Sequence, residues 1–225
     1  YTHLNSKEVV KQPIRFYDPA LWDNVEHRSL HLDTQRSSWI VEPQVVYSHS
    51  LGDFDIDGLL GTTFQQGKQY TLNTLATGYA NAQLIGNLEA ADIVTVPTHQ
   101  ESQYNYTAAF ARLGVHYKNR YLLNLTGRRD GSSRFGASRQ FANFGAVGAA
   151  WIFSEEPWMQ EESWLSFGKF RGSYGSTGSD QIGDYGYLDT YSATPGPGGL
   201  YPTQLTNPDY SWESNRKLEL ALDLG

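Results

Sequence analysis

Residues 217–225 alternate strictly, with Leu218, Leu220, Leu222 and Leu224 on one side of an extended chain and Lys217, Glu219, Ala221 and Asp223 on the other. Successive side chains of a strand point to opposite faces, so a period of two marks a strand with one apolar and one polar face. The same period recurs upstream. In 165–175, Phe170, Gly172 and Tyr174 oppose Lys169, Arg171 and Ser173. In 120–129, Tyr121, Leu123 and Leu125 oppose Leu122, Asn124 and Thr126. In 112–117, Leu113, Val115 and Tyr117 oppose Arg112, Gly114 and His116. In 144–153, Val147, Ala149, Trp151 and Phe153 form the apolar face, with Ile152 out of pattern. Phe54, Ile56 and Leu60 oppose Asp55 and Asp57, and 39–48 alternates more weakly, with Pro43 marking a strand end, a bulge or an edge. That makes about seven strands. Helical periodicity is nearly absent; one short stretch, 154–160, could hold a turn capped by Ser154 with Pro157 near its start.

Composition narrows the chemistry. The chain of 225 residues suits one large domain or two small ones. Its net charge of −7 argues against binding nucleic acid through backbone phosphates. The absence of Cys excludes disulfides, thiolate metal sites and cysteine nucleophiles. No apolar run approaches the ~18 residues of a membrane-spanning helix. That says nothing against a membrane barrel, whose alternating strands look mild on a hydropathy scale.

The connections alternate in length. Residues 48–53, the tight Lys118-Asn119 hairpin and 154–164 fall in one set; 66–102, 130–142 and 176–215 fall in the other and are longer. Short turns on one rim and long loops on the other are how outer-membrane barrels are built. Alternation alone also fits a soluble sandwich whose apolar face is its core. Two features favour lipid. Aromatic residues (Tyr47, Phe64, Tyr117, Tyr121, Trp151, Phe153, Trp158, Trp164 and Tyr174) stand near strand ends, where interfacial girdles lie. The strands also approach the ~10 residues that a tilted membrane strand needs, against ~5–6 in soluble sheets.

Three segments, taken in order, resemble a known family. Residues 117–136 contain R-R-D-G-S-S-R-F-G. Residues 144–178 contain a strand, an S-E-E-P turn and a strand ending S-Y-G-S-T-G. Residues 207–225 carry N-P-D-Y-S-W-E followed by the alternating leucine strand. This order and spacing resemble the SusC/RagA-like TonB-linked outer-membrane transporters, found chiefly in Bacteroidetes. The resemblance covers roughly residues 104–225; residues 1–103 resemble the family loosely. It implies an all-β, antiparallel, up-and-down transmembrane barrel, of which residues 1–225 would be a part. No TonB box or plug domain is expected here, and about seven strands fall well short of a 22-stranded barrel. It implies energy-coupled import of oligosaccharides or peptides through the cell outer membrane. The implied partners are the TonB complex (through an N-terminal part outside this chain), a SusD-like surface lipoprotein, the substrate and outer-membrane lipid, with no nucleic acid. The competing reading is a soluble all-β carbohydrate-binding module.

Candidate site residues follow from these two readings. Arg128, Arg129, Asp130, Gly131, Arg134 and Gly136 form the signature loop; Asp130-Gly131 reads as a turn whose charges pair locally. Asp180, Asp184, Tyr185, Tyr187, Tyr191 and Trp212 belong to an acidic, aromatic segment able to meet ligand or partner. Asp55, Asp57, Arg112, His116, Asn124, Lys169, Arg171 and Glu219 lie on polar faces and are expected to line a wet lumen. His27 and His31, four apart, lack the further ligands of a metal site. Glu155, Glu156, Glu161 and Glu162 read as an acidic, solvated turn rather than paired catalytic carboxylates. Two N-x-T triplets, at Asn105 and Asn124, are short enough to arise by chance. No nucleotide-binding or nucleophile-elbow motif is present. Neither an enzyme activity nor a cofactor or metal is expected.

Overall fold

The computed structural model describes residues 1–159, 165–194 and 198–225. Trp164, Glu161 and Glu162 therefore lie outside the described residues. Eleven strands are present among the described residues: β1 (Thr2–Gln12), β2 (Arg28–Val41), β3 (Gln44–Leu51), β4 (Phe54–Thr77), β5 (Ile93–Tyr117), β6 (Tyr121–Ser132), β7 (Phe141–Trp151), β8 (Gly168–Ser179), β9 (Thr190–Ala193), β10 (Leu200–Gln204) and β11 (Glu213–Leu224). Nine of them form one sheet in the order β1-β2-β4-β5-β6-β7-β8-β11, with β3 also paired to β4, and β9 and β10 form a separate hairpin. Neighbours with a defined register are antiparallel. No helix among the described residues is long and apolar enough to cross a membrane.

The count of about seven strands is corrected upward, and so are several boundaries. The expected long connection at 66–102 is mostly strand: β4 runs on to Thr77 and β5 begins at Ile93, so only 78–92 connects them. Residues 1–38, where strand signals are poor, hold β1 and much of β2. Asp130 and Gly131 lie inside β6 rather than in a turn. The expected connection at 176–215 shortens at both ends, and β9 and β10 lie within it. The helical turn begins one residue early, as a 3-10 turn at Phe153–Glu155 without a side-chain cap. Pro43 separates β2 from β3, and its carbonyl accepts from the Thr62 amide at 3.0 Å.

Contacts divide the chain into two units, Tyr1–Trp39 with Gln66–Gln103, and Ile40–Gln65 with Tyr104–Gly225. In the first, β1 and β2 pair without a register shift from Thr2↔Ser38 to Gln12↔Arg28. Its small core is Ala76, Tyr79 and Ile85, with Ala90 and Ala91 against it. The Tyr79 phenol meets the Ser29 hydroxyl at 2.7 Å, and Ser29 meets His31 Nε2 at 3.0 Å. His27 accepts the Ile14 amide at 3.2 Å. Both histidines therefore serve local hydrogen bonds.

In the second unit, the Lys118-Asn119 hairpin has φ of 52° and 54° at its two central residues. Positive φ at both is the type I′ geometry that matches strand twist. Asn tolerates it readily; Lys118 is held by its amide donating to the Asp53 carbonyl at 2.8 Å, with its ammonium over the Tyr117 ring.

Register carries the apolar pattern across strands. Leu113, Leu125, Val147, Tyr174 and Leu218 form one row. Val115, Leu123, Ala149, Gly172 and Leu220 form the next, and Tyr117, Tyr121, Trp151, Phe170 and Leu222 the third. On β3 and β4 the same face carries Val45, Tyr47 and Leu51 against Leu60, Gly58 and Phe54. Phe54 reaches the third row, its ring 4.6 Å from that of Tyr117. The rows remain open: Leu218, Leu220, Leu222 and Leu224 are 66 %, 67 %, 58 % and 61 % exposed.

Candidate functional site

The opposite face of the second unit is polar, and parity puts every polar-face candidate on it. The rows Gly114–Asn124–Gly148–Ser173–Glu219 and Arg112–Thr126–Ala146–Gly175–Lys217 alternate with the apolar ones. Arg112 donates to Asn124 at 3.4 Å, Arg171 to Asp223 at 3.1 Å, and Lys217 pairs with Glu219. Asp223 opposes Lys169 across β11 and β8. Asp55 accepts from Ser50. The Asp57 carboxylate occupies the space that a Cβ at residue 114 would need, so Gly114 makes room for it. His116 opposes Leu122. Small residues at 148 and 150 leave a hollow of about 240 Å³ beside Asn124, Lys169, Arg171 and Glu219.

The R-R-D-G-S-S-R-F-G segment sits where β6 leaves this face, and each position has a separate task. Arg128 lies on the polar side, bonded to Asp130 at 2.5 Å and to the Tyr106 hydroxyl. Arg129 lies on the other side, its guanidinium 5.1 Å from the centre of the Phe141 ring. Gly131 leaves space for Phe141, whose ring would lie 2.5 Å from an added Cβ. Ser132 is fully buried and its hydroxyl accepts the Arg134 amide. Arg134 donates to Asp184 at 2.7 Å and to the Asp180 carbonyl at 2.7 Å, and lies over the Tyr104 ring. Burial works against the Arg134 charge, but the hydrogen bond and charge of Asp184, with Asp180 nearby, prevail and hold its pKa above the usual value. Phe135, 2 % exposed, packs on Tyr210 and Trp212. Gly136 lies against the Tyr187 ring.

The segment thus anchors the long β8–β11 connection, a task that local sequence could not reveal because the partners lie 46 to 77 positions downstream. Four of the six residues read as ligand or partner contacts are engaged in this anchoring. Asp180 accepts from Tyr104 at 2.6 Å, Asp184 from Arg134, Tyr187 packs on Gly136, and the Trp212 indole donates to the Gln140 carbonyl at 3.3 Å. Tyr185 and Tyr191 keep exposed rings, and Tyr191 donates to Asp189 at 3.0 Å. Beside the anchor an open polar groove of about 700 Å³ runs past Glu42, Thr63, Tyr106, Arg128, Gln181 and Trp212. No group of three or more metal-ligating side chains is found among the described residues.

Tyr104 stands in the part of β5 beyond the apolar rows. Burial, then its hydrogen bond to the Asp180 carboxylate, raise its pKa well above the usual phenol value. A raised folded pKa contributes stability that is complete below the unfolded value and lost as pH rises toward the folded one. The 180–188 anchor should therefore loosen above about pH 10. Limited proteolysis across an alkaline series would register it, and Tyr104→Phe should flatten the response.

Glu156, read from sequence as part of a solvated turn, is 8 % exposed. It accepts from Tyr121 at 2.6 Å, from the Trp151 indole at 3.1 Å and from Arg120 at 3.3 Å. The sequence signal was the S-E-E-P turn itself, whose second Glu ties the β7–β8 connection to the ends of β6 and β7. Those hydrogen bonds, Tyr121 first, hold its carboxyl below the usual range. The stability they contribute is present above the ordinary carboxylate pKa and lost as pH falls through the lowered one. Glu156→Ala should speed hydrogen exchange at the Ile152 and Met159 amides.

The expected alternation of short and long connections fails at one place, since 133–140 between β6 and β7 is shorter than 152–167 between β7 and β8. An antiparallel meander with one open apolar face and one charged face still defines a class: the wall of an outer-membrane-type β-barrel. The sequence and structure comparisons define it further, and by them the chain belongs to the SusC/RagA-like TonB-dependent receptors. It is 33 % identical over 176 residues to TonB-dependent receptor P39 of Formosa agariphila, covering 75 % of this chain and 17 % of the relative. Receptor P26 of the same organism is 33 % identical over 196 residues, covering 82 % and 20 %. TonB-dependent receptor SusC of Bacteroides thetaiotaomicron is 31 % identical over 132 residues, covering 52 % and 13 %. The chain therefore spans about a fifth of the curated relatives' length. No family model matches. Among solved structures, the RagAB peptide transporter superposes with a TM-score of 0.80 at 24 % identity, covering 99 % of this chain and 25 % of that one. The RagAB peptide importer in its "open-open" state gives 0.71 at 25 % identity, covering 89 % and 22 %.

Proposed function

We propose that residues 1–225 form part of one barrel domain of a TonB-dependent transporter in the cell outer membrane. The observation that carries this reading is the set of register-matched apolar rows left open on one face. A soluble sandwich or carbohydrate-binding module would bury such rows as its core, whereas a barrel turns them to lipid. The opposite face, with Asp55, Asp57, Arg112, His116, Asn124, Lys169, Arg171 and Glu219, then lines a wet lumen. The cargo is an oligosaccharide or a peptide, polar enough to need such a wall. The β8–β11 connection, held by Arg134 and Phe135, presents Tyr185 and Tyr191 to cargo or to a SusD-like lipoprotein. Energy coupling to TonB belongs to a part of the receptor outside this chain. The chain's own role is structural and selective, without covalent chemistry.

The test is to fractionate cells making the full-length receptor. Recovery only in detergent-extracted outer membrane, with heat-modifiable gel mobility, supports the reading. A receptor soluble without detergent would overturn it.

A further inference from the structure

The apolar face of the second unit carries an uneven charge. Along β3, β6, β7, β8, β11 and the parts of β4 and β5 in this unit, apolar-face positions hold no Asp, Glu or Lys among the described residues. They hold two arginines, Arg129 and Arg216, although the whole chain has net charge −7. Both are exposed, and neither has a carboxylate partner among the described residues. Arg216 closes the row Ala111–Gly127–Gly145–Ser176–Arg216, next to the first apolar row. Arg129 falls in the row beyond, opposite Ala109 and Asn143. Both stand at the end of the strands that leads to the connections 133–140 and 180–212. The other border of the rows carries Tyr117, Tyr121, Trp151 and Phe170, and its cation, Lys118 over the Tyr117 ring, is paired with the Asp53 carboxylate. The Arg129 side chain runs to the Phe141 ring, which belongs to the next row outward, so its charge points away from the apolar rows.

A charge at the edge of an apolar face is tolerated where it meets an interface, and a lone guanidinium there matches a phosphate. We infer that Arg129 and Arg216 bind the phosphate groups of anionic lipids at the border of the leaflet on the side of connections 133–140 and 180–212. The inference rests on the membrane reading above. The residues between them in that row, Gly127, Gly145 and Ser176, are small, and an added Cβ at Gly127 would meet nothing within 4 Å.

The experiment uses the full-length receptor in neutral detergent, given phosphatidylglycerol or phosphatidylcholine and read by native mass spectrometry. Wild type should retain phosphatidylglycerol in preference, and Arg129→Gln with Arg216→Gln should lose up to two of those adducts. Lys217→Gln, on the opposite face, should keep them all. Heat-modifiable mobility reports whether each variant folds; if the double variant does not, each single variant should lose one adduct. Adduct numbers unchanged in the folded variants, no preference in wild type, or equal displacement by inorganic phosphate would each overturn the inference alone. A receptor that needs no detergent would overturn the membrane reading with it.

Discussion

Leu220→Arg will cost the folded receptor about 2–4 kcal/mol, the range for an arginine on the lipid face near the bilayer midplane. Leu220 is in the second of three apolar rows, flanked by Leu218 and Leu222 on its own strand and opposite Gly172 on β8. These neighbours offer no carboxylate on that face. Ser173→Lys provides the contrast. Ser173 lies one position from Gly172 but on the polar face, exposed and opposite Glu219. A lysine there gains an ionic neighbour in water, so folding should change by less than about 1 kcal/mol. Chemical denaturation from vesicles, read by heat-modifiable mobility, checks both. Equal costs for the two variants would mean that the two faces do not meet different solvents.

Phe135→Ala is the second large effect. The ring is almost fully buried, 5.0 Å from the Trp212 ring centre and 6.1 Å from that of Tyr210. Truncating a buried Phe typically costs about 3–5 kcal/mol. Because Phe135 joins the end of β6 to the β8–β11 connection, the loss should fall on that connection rather than on the sheet. Limited proteolysis should then cut between residues 180 and 212 while the heat-modifiable band persists. Arg134→Gln should act in the same direction and more weakly, since it removes the charge from one ionic anchor and leaves the aromatic one.

Where the sequence could be read, the reason is physical. Strands β6, β8 and β11 alternate because one face of each is apolar and the other largely polar, and β7 follows their register with Val147 and Trp151 on the apolar side and the small Ala146, Gly148 and Ala150 on the other. The distal half of β4, with Gln69, Tyr70, Thr71 and Asn73, and the early part of β5, with Thr98, His99 and Glu101, have no such contrast. Both faces there are polar or mixed, so period two disappears although the hydrogen-bond ladder continues. The same holds for β1, with Asn5, Ser6, Lys7 and Glu8 in succession. At the candidate site, local pairing of Arg128 with Asp130 was legible, being two positions apart. The contacts of Arg134 and Phe135 were not, because only the fold brings the far segment to them. Glu156 was misread for a similar reason: a carboxylate between polar neighbours looks solvated until Tyr121 and Trp151 are seen to donate to it.

The hairpin of β9 and β10 is closed at its neck by its own bonds. Gln204 donates to the Gly186 and Leu188 carbonyls, each at 3.0 Å, and Thr206 to the Tyr187 carbonyl at 3.0 Å. Among the described residues, β9 and β10 contact each other and are thereby mechanically separate from the wall. Substitutions at Tyr191 or Tyr201, on this hairpin, should therefore change what the connection presents while Arg134 and Phe135 continue to seat it.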